Sequence, residues 1–240
     1  MAQASTIMPA DENADEGEPK TLADAAYRSL RHDIITGRLA AGERLRVEHL
    51  RDAYGVGATP LREALSRLAA ERLVVASGQR GFRVAPMSLA ELDDVTETRV
   101  LLETRALEDS LARGDVAWEA RLVAAHHTLQ RYDGRLRADK SPANVVEWEG
   151  HNAAFHEALV GACRSPWLRA LRDLLYDQHR RYRFLSAAQT HRGRGVSDEH
   201  RAIFEAAIAR DVPRTVALSA EHIRGTARAL RAALAKRLPQ

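Results

Sequence analysis

The chain runs to 240 residues and is 45% hydrophobic but only 5% aromatic, a composition suited to one or two domains of helices packed through small and aliphatic side chains. A single cysteine, Cys163, excludes an intramolecular disulfide framework, and no apolar run approaches the ~18 residues of a membrane span. The N-terminus shows no basic flank and apolar core of a secretory signal, so a cytoplasmic location with no membrane partner is expected. The formal charge of +3 is unevenly spread. Residues 1–19 carry five acids and no base, while residues 20–86 hold 12 Lys/Arg against 7 Asp/Glu. A basic segment beside an acidic tail suits a polyanion partner, and equally suits a solvated face.

In chain order, residues 1–19 lack hydrophobic periodicity and read as a disordered arm. Ala23, Ala26, Tyr27, Leu30 and Ile34 then mark one stripe of a helix that Gly37 can stop. Residues 39–45, "LAAGERL", read as a turn, and a short helix from Val47 to Tyr54 is expected to bury Leu50, Ala53 and Tyr54 before ending at Gly55. The stretch "GVGATPLREALSRLAAERLV" (55–74) predicts a third helix with Thr59 as its cap and Pro60 at N1, its stripe formed by Leu61, Ala64, Leu65, Leu68, Ala69 and Leu73. "LVVAS" and "GFRVA" flank "GQR", the pattern of a hairpin, and Pro86 closes the unit. From Ser88 onward the pattern is helical throughout, with six helices expected near 88–113, 115–137, 143–163, 166–187, 197–210 and 212–236.

Three helices and a two-stranded wing make a winged helix-turn-helix, whose third helix enters the DNA major groove by its N-terminal end. Arg62, Ser66 and Arg67 lie off the buried stripe. An arginine in a positive first turn is unfavourable for the helix alone and makes sense if that turn faces an anion. Arg80 and Arg83, bracketing Gly81, place charge on the wing. Periodicity by itself leaves an ordinary capped surface helix as the alternative.

A second constellation lies downstream. "WEGHNAAFHEAL" sets Asn152 and His156 one helical turn apart, "DEH" brings His200 near the start of a helix, and "AEH" puts His222 in the last one. Three imidazoles and an amide oxygen from three helices can converge in a bundle core and hold a divalent metal, with Zn, Ni, Co or Fe all suited to neutral imidazole. Spacing does not establish convergence, and scattered histidines are commonly solvated or satisfied in a core. His32, His49, His126, His127, His151, His179 and His191 are read in that structural or solvated way.

Residues 21–86 resemble the DNA-binding domain of the GntR family through "YRSLRHDIITGRLAAGERL", "LRDAYGVGATPLREALSRLAAERLV" and "RGFRV". The resemblance implies a homodimeric transcription factor, most simply a repressor, reading a palindromic operator, with Thr59, Arg62 and Gly81 at or near double-stranded DNA. The family's "SRTP" is here "GATP", Gly57 and Ala58 standing for a serine and a DNA-contacting arginine. Residues from about 89 to 236 resemble the FCD domain of the FadR subfamily through "NAAFH", "DEH" and "AEH". That implies a mainly α protein with three parts: an arm at 1–19, a winged helix-turn-helix at 20–86, and an antiparallel helical bundle at 87–240 that dimerises and binds metal and effector. The metal ligands implied are Asn152, His156, His200 and His222, with Asn152 standing for the family's aspartate. A small carboxylate effector would fill the open metal positions, with Arg99 in "ETRVLLETRALE" taking its other end; a surface salt bridge from Arg99 to Glu103 is the alternative. Arg180, Arg181 and Arg183 are unranked further candidates. Three functions follow: a ligand-controlled DNA-binding regulator that is not an enzyme, a metal-dependent hydrolase with Glu149 as its base, and a ligand-free dimeric DNA-binding protein. The first accounts for the most residues.

Overall fold

The computed structural model describes residue 19 and residues 21–76, 81–190 and 195–239, the side chains of 187–190 excepted. The expected acidic arm (apart from residue 19), Arg80 at the wing tip and His191 lie outside the described residues.

The N-terminal half builds on three helices. In α1 (Leu22–Ile35) the Thr21 hydroxyl caps the start by accepting the Asp24 N–H at 3.1 Å, and Ala23, Ala26, Leu30 and Ile34 face inward as their spacing predicts. The second helix, α2 (Val47–Tyr54), buries Val47 and Leu50; Ala53 is exposed, contrary to expectation, because the short helix turns only one narrow face to the core. It ends at Gly55, whose φ of +64° is a left-handed cap that side-chain-bearing residues resist. The third, α3 (Ala58–Ala70), seats Leu61, Leu65 and Leu68 against Leu30 in a fully buried cluster.

A three-stranded sheet completes this half, where the sequence suggested two strands. Arg44–Leu45 (β1) pair antiparallel with Phe82–Val84 (β3), which also pair with Val74–Ala76 (β2) in the register Val74↔Val84 and Ala76↔Phe82. The third strand falls inside the expected turn at 39–45. Two residues are too short for side-chain alternation to announce a strand.

The C-terminal half is an all-helical bundle of α4 (Leu89–Arg113), α5 (Val116–Ala138), α6 (Pro142–Val160), α7 (Pro166–Thr190), α8 (Val196–Ile208) and α9 (Val212–Leu234). Ser88, Asp115 and Asp211 cap α4, α5 and α9 through side-chain bonds to backbone N–H groups, which fixes where each helix begins. Trp118, Leu122, Phe155 and Ile203 fill one core, and Met87, Leu92, Tyr182 and Leu230 a second. Among the described residues no helix is long and apolar enough to cross a membrane.

Helix α7 joins the halves. Asp177 pairs with Arg31 on α1, Gln178 donates to the Glu71 carbonyl at 2.9 Å, and Arg181 donates to the Ala85 carbonyl at 2.5 Å. Phe184 packs against the cores of both halves.

Candidate functional site

The first turn of α3 is open to solvent. Gly57, extended at ψ 164°, takes the cap position without a side-chain bond, and its carbonyl accepts the Leu61 N–H at 3.3 Å. Thr59 is therefore inside the first turn and not the cap, and Pro60 stands at the third helical position and not the first. The proline still sacrifices nothing, because N–H groups of the first turn have no intrahelical acceptor. Thr59, Arg62 and Ser66 are exposed, Pro60 and Gly81 are half-buried, and the Ser66 hydroxyl donates to the Arg62 carbonyl at 2.8 Å. Arg67 bonds Asp24 at 2.6 Å and covers the Tyr27 ring at 4.1 Å. On the wing, Gly81 has φ +84° and Arg83 donates to the Gly42 carbonyl at 2.8 Å. Among the described residues, hydrogen bonds from α7 reach α3 only at its far end, by Glu71, so the bundle leaves the tip uncovered.

In the bundle the dispersed histidines meet. Donor nitrogens of His156 on α6, His200 on α8 and His222 on α9 all lie within 4.8 Å of one another, and all three residues are buried. Asn152, one turn before His156, joins them. Its amide oxygen is buried with no hydrogen-bond partner among the described residues, while its Nδ2 donates to the Tyr176 hydroxyl at 3.3 Å. Nδ1 of His222 lies 2.8 Å from a Glu199 carboxylate oxygen, a contact that orients the ring. Burial, reinforced by the His222 and His200 rings, pushes His156 well below its ordinary pKa and keeps it neutral. Three imidazoles, that of His156 held neutral, and an amide oxygen are a donor set that fits a divalent first-row metal.

Beside these groups a cavity of about 40 Å³ is lined by Arg99, Trp148, Asn152, His156, Arg183 and His222, among others. At roughly 10–15 Å³ per water, that is room for a few waters or the polar end of a small molecule. Arg99 pairs with Glu103 one turn on, but the pair is buried and not on the surface: Arg99 is 2% exposed and its Nε stands 3.7 Å from the carboxylate. Glu103 is already held by Arg172, which donates to both its oxygens at 3.1 Å. The Arg99 Nε consequently has no hydrogen-bond partner among the described residues. Burial lowers the Arg99 guanidinium to about 10, still charged at neutral pH. Arg183 is the opposite case, with Nε and Nη2 donating to Glu149 at 2.9 Å and Nη1 standing 3.2 Å from His179.

The three unranked arginines thus separate. Arg183 lines the cavity, Arg181 holds the Ala85 carbonyl, and Arg180 pairs with Asp177 at 3.4 Å. Glu149, the base that hydrolysis would require, is engaged by Arg183. His179 is wholly buried, its Nδ1 facing Arg99 at 3.3 Å and Arg183 at 3.2 Å. Guanidinium groups only donate, so that nitrogen accepts. Sequence reasoning passed over Tyr176 and Arg172. Together with His179 and Arg183 they lie at helical spacing on one face of α7, a periodicity that is present in the sequence.

A winged helix-turn-helix with an uncovered cationic tip, carried on a bundle with a small cavity that polar side chains help to line, defines a DNA-binding regulator. Residues 22–84 match the model of the bacterial regulatory proteins of the gntR family, and residues 94–225 match the FCD domain. The chain belongs to the GntR family, with an FCD domain as its helical half. It is 44% identical over 205 residues to the HTH-type transcriptional regulator BphR of Paraburkholderia xenovorans, covering 85% of this chain and 83% of that one. It is 38% identical over 201 residues to the HTH-type transcriptional repressor GlaR of Escherichia coli, covering 82% and 90%. The fold matches that of E. coli McbR/YncC with a TM-score of 0.75 at 20% identity, over 88% of this chain and 98% of the other. The family and these relatives are transcriptional regulators and not enzymes.

Proposed function

We propose that this regulator is a homodimeric repressor of the FadR subfamily, controlled by a small carboxylate bound at a metal centre in its helical half. Residues 20–86 would contact a palindromic operator, each protomer reading one half-site as two-fold symmetry requires. Thr59, Pro60, Arg62 and Ser66 would present the α3 tip to the groove, Arg67 would join them on leaving Asp24, and Gly81 with Arg80 would carry the wing along the backbone. Asn152, His156, His200 and His222 would hold the metal, zinc by preference and otherwise nickel, cobalt or iron. The metal supplies a Lewis-acidic position for a carboxylate oxygen.

The observation that carries this reading is the joint presence, on one small cavity, of a buried amide oxygen without a partner and a buried arginine whose Nε has none among the described residues. Arg99 would donate to the acid's other end, with Arg183 and His179 fixing its place. Helix α7 contributes Arg183 to the cavity lining and also grips α1 and the exit from the wing, so an occupant that shifts α7 would alter how the DNA-binding half is held. A DNA shift assay on the chain's own upstream region tests the reading. A small set of mono- and dicarboxylates should release the duplex from metal-loaded protein, and Arg99→Met should abolish the release while leaving the shift itself. Release that is indifferent to Arg99 would contradict it. Light scattering separately checks the dimer.

A further inference from the structure

The DNA-binding half carries its own counter-charge. Residues 20–86 hold 12 Lys/Arg against 7 Asp/Glu, a surplus of five, and residues 1–19 hold five acids and no base: Asp11, Glu12, Asp15, Glu16 and Glu18. The packing of α1 on α3 says which cations lie nearest to them. Asp24 holds Arg67 at 2.6 Å, and one turn further along both helices the Tyr27 hydroxyl donates to Glu71 at 2.5 Å. The two contacts advance together, so α1 and α3 run in the same sense, and the start of α1 lies toward the tip of α3.

That tip is fit to hold a carboxylate. Arg62 is exposed and makes no ion pair among the described residues, with Glu63 the acid beside it. The first turn has no side-chain cap, so its backbone N–H groups and the positive end of the helix dipole add to the attraction. The pairing of Arg67 with Asp24 is already an instance, an acid of α1 lying on an exposed arginine of α3. Arg62 stands about 7.5 Å nearer the tip than Arg67, at about 1.5 Å per residue. Glu18, Glu16 and Asp15 precede Thr21 by three to six residues. At about 3.3–3.6 Å per residue that length spans roughly 10–20 Å, which covers the distance. We propose that the acidic segment ahead of α1 is an intramolecular competitor of DNA, its carboxylates occupying Arg62 and the α3 tip until a duplex displaces them. A short tether gives an effective concentration of about a millimolar, and exposed ion pairs are individually weak, so the masking is modest, about 3- to 10-fold. The proposal rests on the DNA contact assigned above to Arg62 and is independent of the metal.

The test is a two-by-two set of full-length proteins: wild type, Arg62→Ala, a neutral-arm variant (Asp11→Asn, Glu12→Gln, Asp15→Asn, Glu16→Gln and Glu18→Gln), and the combination. Each is titrated against a fluorescent duplex of arbitrary sequence at low salt, where phosphate contacts dominate affinity. With Arg62 intact, the neutral arm should tighten binding by about 3- to 10-fold. In the Arg62→Ala background, which itself binds DNA more weakly, the gain from the neutral arm should fall to less than about half of that, because the arm has lost its seat. Simple repulsion between an acidic arm and DNA takes no account of Arg62. Equal gains in both backgrounds, or none in either, therefore overturn the proposal. Wild type that binds no duplex overturns the DNA contacts themselves, a separate and recognisable result. A measurement on the unaltered chain stands beside the variants. Cleavage after Glu12 and Glu16 by a glutamate-specific protease should speed up when saturating duplex is added, as displaced carboxylates come within the enzyme's reach. Cleavage that is unchanged or slowed by the duplex overturns the proposal.

Discussion

Arg99 sits where one carboxylate serves two guanidinium groups. Glu103 gives both oxygens to Arg172, and burial, which alone would raise its carboxyl pKa, is outweighed by Arg172 and Arg99, which hold it below the usual range. Arg99 therefore keeps its charge beside a shared carboxylate while its Nε has no hydrogen-bond partner among the described residues, which leaves a buried donor for an anion to satisfy. Arg99→Met should weaken binding of an effector carboxylate by roughly 10- to 100-fold, the range expected for one hydrogen bond to a charged group. Calorimetry checks it, and zinc affinity should stay within about threefold because Arg99 is not a ligand. At the other end of the molecule, Arg62→Ala should cost about 1–3 kcal/mol of operator binding and relax one base position, whereas Arg83→Ala should weaken all duplexes alike and lower the salt slope by about one. These roles were unequally legible. Arg62 stood out from the sequence because an arginine opposes the dipole of its own helix. The unbonded Nε of Arg99 did not, because it depends on Arg172, which lies 73 positions further along the chain.

Among the elements, α7 has two occupied polar faces. Arg172, Tyr176, His179 and Arg183 look toward the cavity side, while Asp177, Gln178 and Arg181 hold α1, the end of α3 and the exit from the wing. Coupling between sites is a free energy shared by both, typically worth about 1–3 kcal/mol. Asp177→Ala combined with Gln178→Ala should leave effector affinity and DNA affinity, each measured alone, within about threefold of wild type, yet remove most of the effect of one on the other. Fluorescence anisotropy with and without effector reads both quantities. The same helix shows where sequence reasoning stops. Apolar stripes announced α1, α3 and the bundle helices, since burial on one face leaves a period that needs no partner to be seen. Charged residues on two faces of α7 give the pattern of a solvated helix, and only packing reveals that both faces are covered. Likewise β1 is a strand because β3 lies beside it, and Thr59 lost the cap because Gly57 two residues earlier adopts the extended backbone. The meeting of His156, His200 and His222 was expected through family resemblance, and their spacing alone left it open.

For the molecule as a whole, the buried histidines tie stability to pH and to metal. His179, by burial and then the charges of Arg99 and Arg183, and His156, by burial and then its neighbouring histidines, both titrate well below the ordinary value of 6.5. Folded protein then binds fewer protons than the unfolded chain below that value, so the metal-free protein is expected to hold its stability above pH 6.5 and lose it as the pH falls from there. Thermal melts across pH 5 to 8 check the slope, and His179→Gln should flatten it. Zinc at about a hundred times its dissociation constant should add roughly 2.7 kcal/mol to the folded state, visible as a higher Tm. The most direct test of the central claim, that the cavity in the bundle governs the tip of α3, is the affinity of full-length, metal-loaded protein for its operator duplex, measured by anisotropy across a carboxylate titration. The account predicts that affinity falls by about 5- to 150-fold at saturation, with DNA weakening carboxylate binding by the same factor. An operator affinity unchanged at saturating, calorimetrically bound carboxylate would contradict it.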